Sequence, residues 1–460
     1  MKTRETRRLI PAGLVDQGFA SLATFVIGLY ALGLREDFVS AAGAWALFFG
    51  AFRIATVIPT WLMFVPSEVA SLQHERRERA GVLVQSIKLG IGPSLLAAPL
   101  VLLPILWINL LWKPEEQPDS SLLVAFALAG VVAAFLSPIQ DHVRRVLHLS
   151  DASWRAALVS GIQLAAILAA VLAIRGSNIS SVWIPFGSLA LANAISLPIA
   201  LLMAKNLQSQ PFREKLDARE LMGSGRHLST HELLFAIGDF AVLGTMSALI
   251  GAEITGFAEA ARQAARPLAV LAEGLRAVLA PRSMESASLG HTGSARRISR
   301  TFAIGMVLSG VTYIAVAGHP WSGNPLTYIS QLDGAWVVAG LVAVTSLSNI
   351  FQGLLESPRS ELIGGGRQET LARVEWRATF TRLAVGASAI WTGAFAFPLS
   401  LMALQWIRWR GYRSDLIGVY ADPPNRRREG RPRVIAFAYA CEPLRGSEHA
   451  AGWGLVQTLG

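Results

Sequence analysis

The chain has 460 residues and a formal net charge of +10, and 52 % of its residues are hydrophobic and 16 % charged. Soluble domains contain about 25 % charged residues, so this composition excludes an ordinary soluble protein. The basic residues stand in short segments between long apolar runs, which favours a membrane protein over one that binds nucleic acid. The single cysteine, Cys441, excludes an internal disulfide bond.

Apolar runs of about 20 residues, the length that crosses a bilayer as a helix, recur along the chain and predict an all-α polytopic membrane protein. The basic N-terminus leads into the first run with no Ala-x-Ala-like cleavage site before residue 40, which indicates a retained span and not a removed signal peptide. We predict twelve spans, at 14–34, 39–65, 83–112, 121–140, 155–174, 181–204, 231–250, 254–280, 300–318, 334–356, 378–393 and 394–410.

The loops between these spans predict an orientation. Arginines are concentrated in every second loop, whereas the other loops hold little beyond Arg35, Lys113 and Arg175. The positive-inside rule then places both ends of the chain in the cytoplasm of a bacterial inner membrane. The polar segment 205–229, a predicted cytoplasmic linker loop, separates six spans in 1–204 from six in 230–410. Two six-helix bundles around a central cavity are a common transporter plan.

The eighth predicted span is unusually polar. Charged side chains in hydrocarbon cost about 3 kcal/mol each, so they usually face a cavity or a partner. At about 100° per residue the five charges of this span fall within one helix face, and the sequence predicts a polar stripe that faces water or an anionic ligand. These residues are Glu259, Arg262, Arg266, Glu273 and Arg276. Ion pairs within the helix, or an amphipathic helix on the membrane surface, are the alternatives.

Three further charges lie inside predicted spans. Arg53, midway along the second span, adds positive charge to the predicted cavity. Asp16 and Asp239, in the first and seventh spans, are expected to pair with arginines, to bind a coupling cation or to exchange protons. The sequence contains no metal-ligand cluster, P-loop or nucleophile elbow. The sequence therefore predicts neither a metal nor a cofactor, and it favours transport over catalysis.

Three segments of the chain resemble a known superfamily. Leu14–Phe25, with its Asp-Gln-Gly-x-x-Ser-Leu-x-x-Phe run, is similar to the first span of polysaccharide flippases. Gln140–Leu147 and Ala261–Pro267, the latter followed by Ala280–Arg282, resemble the fourth and eighth spans of the same branch. These flippases belong to the multidrug/oligosaccharidyl-lipid/polysaccharide exporter superfamily. The usual small-Gly-aromatic element after the first span is replaced by Glu36–Val39, which leaves the subfamily and substrate open.

The resemblance implies a V-shaped pair of six-helix bundles around a cationic cavity. It implies a polyprenyl-diphosphate-linked oligosaccharide, such as an O-antigen unit, as substrate, moved by alternating access. A polysaccharide polymerase and glycosyltransferases are expected partners, besides membrane lipids. Because arginine forms two hydrogen bonds with phosphate, the expected diphosphate ligands are Arg262, Arg266, Arg276 and Arg53. The expected cavity or ion-coupling carboxylates are Asp16, Asp239, Glu259 and Glu273.

The C-terminal segment has a different character. Residues 411–433 are predicted to form a basic, proline-rich linker, and 434–460 resemble the first strand, loop and helix of a GT-B glycosyltransferase. The loop that corresponds to the sugar site contains Gly446, Ser447 and Glu448. A segment this short cannot bury a core of its own, so it is not expected to be catalytic. It indicates either a chain cut short from a flippase–glycosyltransferase fusion or a remnant.

Two other functions stay open at this point. A truncated fusion would act as a membrane glycosyltransferase once its catalytic domain is complete. A cation-coupled multidrug exporter of the same superfamily would need an acidic cavity for cationic drugs, whereas this cavity is predicted to contain arginine.

Overall fold

The computed structural model describes residues 2–32, 38–71, 76–150, 152–207, 216–288, 290–319, 335–365 and 367–421. Every regular element in these ranges is helical, which confirms the predicted fold class. The helices are α1 (Lys2–Leu32), α2 (Phe38–Pro59), α3 (Val65–Ser71), α4 (Arg76–Ala97), α5 (Leu103–Leu111), α6 (Ser120–Leu149), α7 (Ser153–Arg175), α8 (Ile184–Lys205), α9 (Ala218–Ile250), α10 (Ala252–Ala264), α11 (Arg266–Ser288), α12 (Thr292–Ala317), α13 (Ala335–Gly364), α14 (Gln368–Ala387), α15 (Ala389–Thr392) and α16 (Ala396–Ala421). A π-helical turn, Thr60–Phe64, joins α2 to α3, and a 3₁₀ turn, Ala98–Leu102, joins α4 to α5.

Nine segments within the described ranges are long and apolar enough to cross a membrane. They correspond to the predicted spans two to seven, nine, ten and twelve. The other three predicted spans are also helical, as α1, α10–α11 and α14. Large apolar side chains cover the outer surface; Leu96, for example, is 82 % exposed and Leu110 is 78 % exposed. Such a surface suits hydrocarbon, in which helices satisfy all their own backbone hydrogen bonds.

The helices pack into two groups that meet along α2. In the first half, α1–α8, α1 packs on α7, and α6 packs on α4 and α8. In the second half, α9–α16, α13 packs on α11, α12 and α16, and α14 packs on α9 and α16. Between the halves, α2 packs against α9 and α10. An aromatic cluster fills the core of the first half, with the rings of Trp45 and Phe186 4.9 Å apart.

Two predicted boundaries are wrong. The segment 205–229 was expected to be a loop, but α9 begins at Ala218, where the side chain of Asp217 accepts a hydrogen bond of 2.9 Å from the backbone N–H of Arg219 and caps the helix. The segment 411–433 was expected to be a linker, but α16 continues to Ala421 because Tyr412 and Val419 are buried against the second half. The predicted fragment 434–460, with Gly446, Ser447 and Glu448, lies outside the described residues.

The eighth predicted span is a broken helix instead of one continuous helix. Pro267 has no N–H group and its ring clashes with the preceding turn, so the helix ends at Ala264 and restarts at Arg266. Side chains of the second half donate hydrogen bonds to two carbonyls at the break. The Tyr313 hydroxyl donates to the carbonyl of Ala264, and Asn349 Nδ2 donates to that of Ala265 at 3.0 Å. The predicted polar stripe is therefore divided between two helices.

Candidate substrate site between the two helical halves

Asp239 on α9 is the centre of an arginine cluster. Its side chain is 3 % exposed, and its two oxygens contact Arg53 of α2 and Arg382 of α14. A third guanidinium, that of Arg262 on α10, lies 3.7 Å from Asp239 Oδ2. The cluster joins the two halves, because Arg53 belongs to the first half and the other residues belong to the second.

Glu259 and Arg262 form the helix-internal ion pair that the sequence left open as an alternative to a ligand-facing stripe. Arg262 Nε lies 2.7 Å from Glu259 Oε2, and Arg262 Nη2 donates to Glu259 Oε1 at 2.9 Å. Gln263 Nε2 donates to the same Oε1 at 2.8 Å. The Glu259 side chain is fully buried, so its charge is neutralised within α10 and does not face a ligand.

Phenylalanine rings form the walls of this cluster. The guanidinium of Arg53 lies 5.4 Å from the ring centroid of Phe235, and that of Arg262 lies 5.4 Å from the ring centroid of Phe49. Arg382 stacks over Phe235 as well, at 5.5 Å. Each such cation–π contact contributes about 0.5–2 kcal/mol when water is excluded, and it leaves the N–H edges of the guanidinium available for hydrogen bonds.

Arg266 differs from the other arginines because both of its hydrogen-bond partners are neutral. Its Nη2 donates to Thr24 Oγ1 on α1 at 2.7 Å, and its Nη1 donates to Gln263 Oε1 at 3.5 Å. Among the described side chains, no carboxylate lies within 4.0 Å of this guanidinium. Arg266 is therefore a half-buried cation, at the contact of the two halves, whose charge is not neutralised by an ion pair.

The other two charges of the predicted stripe point to different neighbours. Glu273 accepts a hydrogen bond of 3.2 Å from Gln17 Nε2 on α1. Arg276 lies 3.8 Å from Glu356 Oε2 on α13. The structure therefore groups Arg53, Arg262, Asp239 and Glu259 in one cluster with Arg266 beside it, and it directs Arg276 and Glu273 elsewhere.

Asp16 bonds within the first half. Its carboxylate lies 3.3 Å from Arg144 Nε and 2.9 Å from His148 Nε2, both on α6, and it accepts a hydrogen bond of 2.5 Å from Ser160 on α7. These contacts attach α1 to its neighbours α6 and α7. Of the roles expected for Asp16, the structure shows pairing with an arginine, but that arginine is Arg144 and not one of the predicted cavity arginines. No group of three metal-ligating side chains occurs in the described part of the chain.

Arg382, the most deeply buried arginine among the described residues, was not predicted as a site residue. Its side chain is fully buried, and besides Asp239 it contacts the backbone carbonyl of Phe235 at 3.5 Å. A charged residue inside the predicted span 378–393 was the available signal. The partner on another helix was not visible in the sequence, because helical periodicity describes only one helix at a time.

Comparison with solved structures identifies the fold. An inward-facing MATE-family multidrug resistance transporter of the MOP superfamily superposes with a TM-score of 0.66 at 12 % identity, over 89 % of this chain and 98 % of that one. The eukaryotic MATE transporter AtDTX14 gives 0.65 at 15 % identity, over 96 % and 99 %. A MOP superfamily transporter from Pyrococcus furiosus, whose reversed binding-pocket polarity suggests a different function, gives 0.61 at 14 % identity, over 91 % and 96 %.

The sequence comparisons add nothing to this: no protein-family model and no curated protein matches the chain. At these identities the structural likeness establishes the fold and not the substrate. The chain is a multi-pass membrane protein with the fold of the MATE transporters of the MOP superfamily.

Proposed function

We propose that this protein is a flippase that moves a polyprenyl-diphosphate-linked oligosaccharide across the bacterial cytoplasmic membrane for surface polysaccharide synthesis. The observation that carries the proposal is the excess of guanidinium groups where the halves meet. Four arginines stand against three carboxylates, because the charge of Glu273 on α11 also acts on Arg266. The four are Arg53, Arg262, Arg266 and Arg382, and the other two carboxylates are Asp239 and Glu259. Both hydrogen bonds of Arg266 go to neutral groups. A site with surplus positive charge favours an anionic ligand.

A diphosphate suits this site better than a cationic drug does. Arginine binds phosphate through two parallel hydrogen bonds, and its guanidinium group stays positively charged when it is buried. A cationic drug would need an unpaired carboxylate, whereas Asp239 is contacted by three guanidinium groups and Glu259 is held by Arg262 and Gln263. The same saturation argues against Asp239 as a site for a coupling cation. The reversed pocket polarity of the Pyrococcus furiosus transporter is a precedent for a departure from drug export within this fold.

The contacts between the halves indicate how binding would be coupled to movement. Arg53 is the most exposed of the three arginines around Asp239, with 30 % of its side-chain surface accessible. A diphosphate that binds Arg266 would also compete with Asp239 for Arg53, and so weaken the ion pair that joins the halves. Separation at the same interface would break the hydrogen bond from Trp107 Nε1 to the carbonyl of Gly244, which is 3.0 Å long. Alternating access then carries the sugar headgroup through while the lipid chain stays in the bilayer.

In this proposal the chain lies in the inner membrane with both ends in the cytoplasm. Glycosyltransferases would build the lipid-linked glycan before this protein moves it, and a polysaccharide polymerase would act on it afterwards. A cation-coupled multidrug exporter is the second candidate, and the likeness to MATE multidrug transporters favours it. A membrane glycosyltransferase formed by a longer fusion is the third.

The test is deletion of the gene in its host, followed by complementation and extraction of lipid intermediates. Wild-type protein and the control Arg296→Gln, which removes an exposed arginine of α12, should restore surface polysaccharide. Arg266→Gln should restore little of it and leave undecaprenyl-linked units on the cytoplasmic leaflet. Normal lipid intermediates in the deletion strain, together with altered drug tolerance, would support the multidrug exporter instead.

A further inference from the structure

The outer surface of the α14–α16 pair carries a repeated pattern of aromatic and basic side chains. On α16 the pattern is Trp406, Trp409, Arg410 and Arg413, at the i, i+3, i+4 and i+7 positions of one helix face. All four side chains are exposed. We call these four residues the Trp–Arg face.

The four side chains of the Trp–Arg face are stacked on one another. The rings of Trp406 and Trp409 lie 5.1 Å apart with an interplanar angle of 28°. The guanidinium of Arg410 lies 5.0 Å from the Trp406 ring centroid, and that of Arg413 lies 5.4 Å from the Trp409 ring centroid. No carboxylate among the described residues lies within 4.0 Å of either guanidinium. The face therefore holds two ordered cations without ion-pair partners.

The neighbouring helix repeats the arrangement at the same depth. Arg373, Trp376, Arg377 and Phe380 occupy the same spacing on α14, and the rings of Trp376 and Phe380 stack at 5.9 Å. A buried ion pair fixes the register of the two antiparallel helices, because Arg408 donates to both oxygens of Glu375, at 2.8 and 2.6 Å. On both helices an aromatic ring lies nearest the connecting turn, and an arginine lies furthest from it.

We propose that the Trp–Arg face binds the headgroup phosphate of an anionic membrane phospholipid. Tryptophan rings settle at the boundary between hydrocarbon and headgroups, which places the arginines at the level of the lipid phosphates. Stacking on the indoles orders each guanidinium and leaves its N–H edge free for two hydrogen bonds to a phosphate. The face looks outward, away from the contact between the halves, so its ligand is a bilayer lipid and not the transported molecule.

A simple surplus of positive charge would attract anionic lipids without any built site. The chain contains a matched control, since Arg296 and Arg297 on α12 are two exposed adjacent arginines without a stacked aromatic partner among the described residues. If charge alone mattered, loss of either pair would have the same effect. If the stacked face is a site, only the pair on α16 matters.

The experiment is native mass spectrometry of the purified full chain, titrated with phosphatidylglycerol or phosphatidylcholine. The wild-type preference for phosphatidylglycerol should fall about tenfold in Arg410→Gln/Arg413→Gln. It should stay unchanged in Arg296→Gln/Arg297→Gln. The variant Trp406→Leu/Trp409→Leu keeps both charges, and it should also lose preference because the guanidinium groups lose their support.

Three results would overturn the proposal. The first is an equal loss in the two arginine variants, which would indicate unspecific charge attraction. The second is wild-type preference in Arg410→Gln/Arg413→Gln. The third is displacement of the bound lipid by soluble glycerol 3-phosphate, which would show a site for free phosphate groups and not for a membrane lipid.

Discussion

Arg53 of α2 and Asp239 of α9 form an ion pair that joins the two helical halves of the protein. Arg382 holds the second oxygen of the same carboxylate from within the second half. The carboxylate of Asp239 is thus shared between two contacts. Alternating access would break the contact with Arg53 and keep the contact with Arg382. The proposed transport function depends on this shared carboxylate and on Arg266 beside it.

Removal of the shared carboxylate should strongly destabilise the protein. Asp239→Asn leaves the fully buried guanidinium of Arg382 without a counter-charge, which typically costs about 3–5 kcal/mol. We expect a lower melting temperature of the detergent-solubilised protein than for Asp141→Asn, whose side chain is 51 % exposed and has an i, i+3 contact of 3.6 Å with Arg144. The double variant Asp239→Asn/Arg382→Gln should recover part of the loss. Equal melting temperatures for the two single variants would contradict the role of Asp239.

A glycine at the contact between the halves should not tolerate a methyl group. A Cβ atom at Gly225 would lie 2.5 Å from the carbonyl oxygen of Leu62, and a backbone atom cannot move aside as a flexible side chain can. Gly225→Ala should therefore cost about 1–3 kcal/mol of stability. Gly223→Ala, two residues earlier on α9, has nothing within 4 Å of its new methyl group and should leave the melting temperature unchanged or raised. If both variants behave alike, this close approach of α9 to the π-helical turn Thr60–Phe64 is wrong.

The break between α10 and α11 should depend on two side chains from neighbouring helices. Tyr313→Phe removes the hydroxyl donor to the carbonyl of Ala264, at a cost of about 1–3 kcal/mol. Asn349→Leu should cost less, because the carbonyl of Ala265 keeps a hydrogen bond of 3.2 Å from the backbone N–H of Leu268. Thr312→Val removes a hydroxyl that only bonds the carbonyl of Leu308 on the exposed side of α12, and it is the control. The melting temperatures of the two variants should be lower than that of the control. An unchanged melting temperature in the double variant Tyr313→Phe/Asn349→Leu would be evidence against the broken helix.

A crosslink between the halves should block transport. In a Cys441→Ser background, Gly50→Cys and Phe240→Cys would place their Cβ atoms about 3.5 Å apart, within the range of a disulfide bond. Oxidation should crosslink α2 to α9 and stop surface polysaccharide assembly in complemented cells, and a reductant should restore it. Each single cysteine variant is the control. Full activity of the oxidised double variant would mean that this interface does not open during transport.

The sequence predicted much of the fold and part of the site, for physical reasons that can be stated. Long apolar runs predict spans because only lipid accommodates them. The i, i+3 spacing of Glu259 and Arg262 offered their ion pair as an alternative, whereas the prediction was a stripe facing a ligand. The burial of Arg382 against Asp239 could not be predicted, because it depends on which helices become neighbours. The start of α9 at Ala218 was missed because its first three turns are polar. The hydrogen-bond donors from Tyr313 and Asn349 at the break beside Pro267 could not be predicted, because they come from other helices.

Equilibrium binding of undecaprenyl diphosphate to the purified protein in detergent tests the proposed diphosphate site most directly. We expect wild-type protein and Arg296→Gln to bind this lipid equally, and a cationic dye not to compete. Arg266→Gln should bind it about tenfold or more weakly, because one charge-assisted contact is lost. Undiminished binding to Arg266→Gln, or a wild-type protein that binds the dye and not the diphosphate, would contradict the proposed diphosphate site.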